Sequence, residues 1–159
     1  MSGHLEQVYR AYLDALNSRR LGDLDQFVHD QLVYNDESIS REQYAQLIAE
    51  DVHNIPDLHF TIDLCVTGDD VVACRLWFDC TPEHEFAGIA PTGRRVAFAE
   101  HVFYRFRDGR IERVWSLIDT DQRAVPLHDP AVDEDRVHVS ALGLERHVAV
   151  GVEDRERHR

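Results

Sequence analysis

Apolar residues recur every three or four positions through the first third of the chain and every second position after it. Leu5, Val8, Tyr9, Tyr12, Leu13 and Leu16 make one helical stripe. After Arg19-Arg20, the residues Leu21, Leu24, Phe27 and Val28 predict a second, shorter helix. Ser40 stands three residues before Gln43, the spacing of a capping box. Behind it Tyr44, Leu47, Ile48, Val52 and Ile55 carry a third helix to Pro56, whose missing N–H stops it. Residues 32–35, between the second and third helices, form a short extended run.

From residue 57 the period is two. Leu58, Phe60, Ile62, Leu64 and Val66 alternate with His59, Thr61, Asp63 and Cys65, and Gly68-Asp69-Asp70 marks a turn. Further strands are expected over 71–80, over 86–90 ahead of the Pro91-Thr92-Gly93 turn, over 96–106, and over 111–118 across Arg107-Asp108-Gly109. Three helices followed by hairpin-linked strands predict an α+β fold, and the lack of βαβ units argues against a doubly wound one. The expectation is a single domain over residues 1–123, with helices on a strongly curved, mostly antiparallel sheet. Residues 124–159 differ: two charge runs frame Val137-His138-Val139 and the segment 147–150. They are read as a partly ordered C-terminal extension.

Composition narrows the function. The 159 residues, 43% hydrophobic and 30% charged, suit one globular domain, and no stretch has the roughly 18 apolar residues of a membrane-spanning helix. The N-terminus shows neither a basic segment nor an apolar core, so a cytoplasmic protein is expected, with no membrane partner. Thirty acids against 17 bases give a net charge of −13, which speaks against nucleic acid as a partner. All 17 bases are Arg, so Schiff-base chemistry on lysine and a P-loop lysine are excluded. Cys65, Cys74 and Cys80 lack C-x-x-C spacing and are read as small buried hydrophobes. The ten histidines form no ligand motif, so no metal site is expected.

A curved sheet wrapped around helices has a concave side where a ligand fits. On the 96–106 strand Val96, Phe98, Glu100, Val102, Tyr104 and Phe106 share one face. A glutamate among apolar neighbours has its charged form disfavoured, which suits a general base near neutral pH. The other face carries His101, Phe103 and Arg105. With Arg75, Trp77 and Trp115 it suits a homodimer interface. One strand does not reveal which face is concave, so His101 stands as the competitor to Glu100. Asp119, at the end of the last strand, is a third catalytic candidate. Tyr34, Asn35 and Ser116 are candidates to hold a substrate oxygen, and Phe98, Val102 and Tyr104 to line the substrate's apolar wall.

The run from Glu85 through Gly88-Ile89-Ala90-Pro91-Thr92-Gly93-Arg94 to Val96, then Phe103-Tyr104-Arg105-Phe106-Arg107-Asp108-Gly109-Arg110-Ile111, Trp115 and Asp119, resembles the SnoaL-like polyketide cyclase family. The helix, Phe27-Val28-His29-Asp30, short strand and helix of the N-terminal part agree. The resemblance covers roughly residues 5 to 122. It implies a cone of the nuclear-transport-factor-like superfamily, shared with ketosteroid isomerases and limonene-epoxide hydrolases, usually dimeric and free of cofactor. It also places Val102 and Ser116 where aldol-type cyclases carry His and Asp, and Glu100 where a Gln often lies. The first reading is proton transfer next to a carbonyl in an apolar small molecule. Glu100 would be the base, with Tyr34, Asn35 or Ser116 holding the enolate oxygen. The alternatives are epoxide hydrolysis by an activated water and non-catalytic binding of a small molecule.

Overall fold

A computed structural model describes residues 2–119. Its elements are α1 (Ser2–Asn17), a 3-10 helix (Leu21–Gln26), β1 (Val28–Tyr34), β2 (Glu37–Ser40), α2 (Arg41–Asn54), β3 (Thr61–Thr67), β4 (Val71–Cys80), β5 (Val96–Arg107) and β6 (Arg110–Asp119). They form one sheet in the order β2-β1-β6-β5-β4-β3. Every neighbouring pair is antiparallel except β1 and β6, which run parallel. The α+β architecture is the one the periodicity predicts. The expected extension over residues 124–159 lies outside the described residues. No described helix is long and apolar enough to cross a membrane.

The helices form where the stripes predict. α1 buries Leu5, Tyr9, Tyr12, Leu13 and Leu16. It ends in a reversal at Arg19, whose φ is 59°, with Arg20 N–H bonded back to Ala15 O at 2.8 Å. Asn17 then fastens the helix to the sheet side, accepting from Phe60 N–H at 2.7 Å and donating to Phe60 O at 3.1 Å. The capping box at α2 is complete: Gln43 N–H donates to Ser40 Oγ at 3.1 Å, and Ser40 N–H to Gln43 Oε1 at 2.9 Å. The second expected helix is a 3-10 piece that buries only Leu24. Val28, expected at its end, instead starts β1 and is fully buried.

Three further expectations are corrected. The strand expected over 86–90 is a tight turn. Phe86 and Ile89 exchange both backbone bonds, at 3.1 and 2.7 Å, around Ala87 and Gly88, whose φ are 48° and 77°. Two successive positive φ angles reverse the chain within two residues and leave no length for a strand. The alternation from Leu58 to Val66 does not hold along one face. A bulge between Ile62 and Leu64 makes Ile62 pair with Leu76 and Leu64 with Arg75. The extra residue flips the later side chains, so Leu64 and Val66 are exposed while Ile62 packs on the core. Finally, α2 faces inward along Tyr44, Ile48 and Asp51, and Leu47 is exposed.

Bulges also occur between β5 and β6 and between β1 and β6. Each one increases local twist. The curled sheet holds its inner side chains against α1 and α2. Phe78, Phe98, Val102, Tyr104, Ile111 and Val114 are among the sheet residues of that core.

Candidate active site

Between α2 and the concave face lies a cavity of about 170 Å³. Its lining comes from Tyr34 on β1, Asp51 on α2, Leu58 and Phe60, Phe78 on β4, Phe86 and Ala87 in the turn, Phe98 and Glu100 on β5, and Ser116 and Ile118 on β6. The rings form a continuous wall. Phe78 stacks on Phe98 with centroids 5.0 Å apart, Phe60 meets Phe78 edge-on at 5.4 Å, and Phe86 lies 5.6 Å from Phe98.

Alternation on β5 brings Glu100 to this side, two positions from Phe98 and Val102. Burial pushes its carboxyl up to about 7. The Asp51 carboxylate adds to the rise, and a hydrogen bond from Ser116 opposes it. Tyr34 in turn hydrogen-bonds to Ser116, so Tyr34, Ser116 and Glu100 form one polar line in an otherwise apolar cavity. Burial also raises the Tyr34 phenol, which keeps it protonated and able to donate at neutral pH.

Asp51 was not among the sequence candidates. It follows Ile48 by three residues and Tyr44 by seven, so it shares their helix face. Burial pushes it up to about 6, with Glu50 contributing. Its signal in the sequence is the spacing 44, 48, 51, 55, in which a carboxylate occupies an inward position of an otherwise apolar stripe.

The other candidates divide by face and depth. Tyr34, Phe98, Glu100 and Ser116 meet in the cavity. His101 and Asp119 lie on the opposite face, pairing with Leu117 and Ala99 across the strands, with His101 Nε2 3.5 Å from Asp119 Oδ2. His101 is one step from Glu100 on β5 and Asp119 three steps from Ser116 on β6, and each step along a strand changes face. Asn35 spends both polar ends of its side chain on the Ser116 backbone. Val102 and Tyr104 share the Glu100 face but sit deeper, 1% and 3% exposed, where Tyr104 packs 5.0 Å from Tyr9 and 5.9 Å from Tyr12. Phe60, Phe78 and Phe86 contribute to the wall without having been singled out in the sequence. Among the described residues no group of three His, Cys, Asp or Glu side chains is placed to hold a metal ion.

The arrangement places a carboxyl that titrates near neutrality beside two hydroxyl donors, inside aromatic walls. Such a set can take a proton from a bound molecule and hydrogen-bond an oxygen that becomes negative.

Comparison with known proteins gives a consistent picture. The model of the SnoaL-like polyketide cyclase family matches residues 6–122. A crystal structure of a SnoaL-like polyketide cyclase from Agrobacterium tumefaciens is similar, with 40% identity and a TM-score of 0.72, covering 74% of this chain and 93% of that one. IdmH from Streptomyces antibioticus, described as a candidate polyketide cyclase, shows 25% identity and a TM-score of 0.65, covering 74% and 94%. AclR from Streptomyces galilaeus, described as a candidate hydroxylase, shares the fold at 24% identity and a TM-score of 0.64, covering 77% and 93%. No curated protein matches the chain.

Proposed function

The chain belongs to the SnoaL-like polyketide cyclase family, and from that premise we propose that it is a cofactor-free acid/base catalyst acting next to a carbonyl group. Glu100 is the base. It takes a proton from the carbon beside the carbonyl, and the C–H electron pair moves onto the carbonyl oxygen. The Tyr34 hydroxyl holds that oxygen as its charge develops, joined by the Ser116 hydroxyl, whose single proton is released by Glu100 as that carboxylate is protonated. The carboxylic acid of Glu100 then returns the proton at another carbon, which is isomerisation. Alternatively the enolate carbon attacks a second carbonyl in the same molecule, and the alkoxide so formed takes the proton back from Glu100, which is cyclisation. The aromatic wall of Phe60, Phe78, Phe86 and Phe98 suits an apolar, flat substrate body.

One observation carries this reading: Glu100 is held by burial at about 7 inside an aromatic cavity, beside hydroxyl donors. A base is most effective when its pKa lies near the working pH.

The test is the base-promoted ring opening of 5-nitrobenzisoxazole, in which loss of one proton breaks the N–O bond and releases a coloured phenolate. The expected rate rises as pH passes through about 7. Glu100→Gln is expected to lower it by about 10²-fold or more, the usual size of general-base assistance. A Glu100→Gln protein that stays folded and keeps the full rate overturns the proposal.

A further inference from the structure

We propose that the cavity takes a compact carbonyl compound that carries a fixed positive charge, an ammonium or quaternary amine, with Asp51 as its counter-ion. The inference deepens the proposed function and rests on it: Glu100 acts on the carbon, and Asp51 holds the charge.

The lining carries five aromatic rings, Tyr34, Phe60, Phe78, Phe86 and Phe98, and two carboxyl groups. It contains no Arg and no His, although the chain has 17 of the first and ten of the second. Several acids elsewhere pair with bases: Asp63 with Arg75, Asp79 with Arg95, Asp36 with Arg113 and Glu112 with Arg107. Among the described residues Asp51 and Glu100 form no such pair, and both pay for burial with a raised pKa. An anionic ligand entering here meets repulsion from two carboxylates. A cation meets both carboxylates and the negative faces of the rings, the arrangement by which aromatic cages bind quaternary ammonium groups.

The charge also fits the chemistry. A positive group near the carbonyl makes the adjacent C–H more acidic and lowers the energy of the enolate by Coulomb attraction. Glu100 accepts that proton, the electron pair moves to oxygen, and the ammonium keeps its own protons or methyl groups throughout. The titratable groups near enough to interact electrostatically with Glu100 are Tyr12 on α1, Tyr34 on β1, Tyr44 and Asp51 on α2, and Cys74 and Tyr104 on the sheet. Burial keeps the phenols and the thiol neutral near pH 7, so the cavity's charge there is set by the two carboxyls.

The test compares trimethylphenylammonium with tert-butylbenzene, which has the same shape without the charge, by calorimetry on the full chain between pH 5 and 8. The cation is expected to bind at least tenfold more tightly at pH 8. That preference should shrink toward pH 5 as Glu100 and Asp51 take up protons. Asp51→Asn, with its folding checked by thermal melting, is expected to remove most of the preference at pH 8. Equal affinities at pH 8, no binding of either compound, or an undiminished preference in folded Asp51→Asn overturns the inference. Turnover of 5-nitrobenzisoxazole without cation preference would overturn this inference and leave Glu100 as the base. Cation preference without turnover would do the reverse.

Discussion

Asn35 clasps both main-chain groups of Ser116, accepting from its N–H at 2.8 Å and donating to its C=O at 3.1 Å. The side chain replaces a strand neighbour where β1 has ended. The Asn35 N–H continues the pairing by bonding Val114 O at 2.9 Å. The residue also sits at φ 46°, with Asp36 following at 68°, a conformation Asn and Asp tolerate better than most residues. The sequence offers Asn35, beside Tyr34 and Ser116, as one candidate to hold a substrate oxygen. The structure gives it to the residue that hydrogen-bonds Glu100.

Loss of that clasp should be felt at the site. Asn35→Gly keeps the backbone freedom and removes both hydrogen bonds. It is expected to cost about 1–2 kcal/mol of stability in urea titration, and to slow 5-nitrobenzisoxazole turnover several-fold through a misplaced Ser116. Asn35→Ala should cost about 1 kcal/mol more, because Ala pays for the left-handed backbone. An Asn35→Gly protein with unchanged rate would show that Ser116 needs no such support.

The raised Glu100 carboxyl has a consequence for stability with a definite sign. Burial holds it at about 7 in the folded chain, above the ordinary glutamate value of 4.5, so the folded chain binds the proton more tightly than the unfolded chain. Stability from this group is therefore present at pH 4 and declines as pH rises through 4.5 to 7. A rise of this size corresponds to about 3 kcal/mol at pH 8 at most. Glu100→Gln is neutral at every pH. It is expected to melt close to the parent at pH 4 and to be more stable at pH 8 by about 2–3 kcal/mol. A variant that is less stable than the parent at pH 8 would contradict the assignment.

Much of this was legible in the chain. The period change near residue 57, the Ser40/Gln43 cap and the Asp108-Gly109 hairpin identified elements whose signals are local. Glu100 among apolar alternates was visible for the same reason. The rest depends on contacts between elements. Nothing in the sequence near Ile62 announces a bulge, and that bulge alone turns Leu64 and Val66 outward. Nothing on β5 alone separates the face of Glu100 from that of His101. That choice comes from β6 and α2, which close over Glu100 and bring Ser116 and Asp51 to it. Asp51 escaped notice because a polar residue on a helix reads as solvent-facing until the partner sheet is known.

Beneath the cavity Tyr12 and Tyr44 join their hydroxyls at 2.6 Å, α1 to α2, with both rings almost fully buried. Tyr12→Phe leaves the Tyr44 hydroxyl buried without its partner and is expected to cost about 1–2 kcal/mol. Replacing both by Phe should cost less than the sum of the two single changes, because no orphaned hydroxyl remains. Urea denaturation of the four proteins measures this coupling, and strict additivity would mean that the two hydroxyls do not support each other.

The outer face of the sheet leads to the last prediction. Leu64, Val66, Phe103 and Leu117 are 59%, 58%, 50% and 68% exposed there. Register makes them neighbours of aromatic and Arg side chains: Leu64 lies opposite Arg75, and Phe103 opposite Trp115. Arg75 covers the Trp77 ring at 5.4 Å, and Arg105 and Arg113 cover Trp115 at 5.7 and 4.6 Å. Four large apolar side chains on one continuous face are costly in water, while aromatic and Arg enrichment is typical of protein interfaces. The expected assembly is a symmetric homodimer with sheet against sheet, burying on the order of 800 Å² per partner. Phe103→Arg puts like charges at the centre of such a face and is expected to give a folded monomer at micromolar concentration. The cavity lies on the other face of the sheet, so this variant should still bind trimethylphenylammonium. Sedimentation velocity decides the matter, and a parent protein that is monomeric at ten micromolar would rule the dimer out.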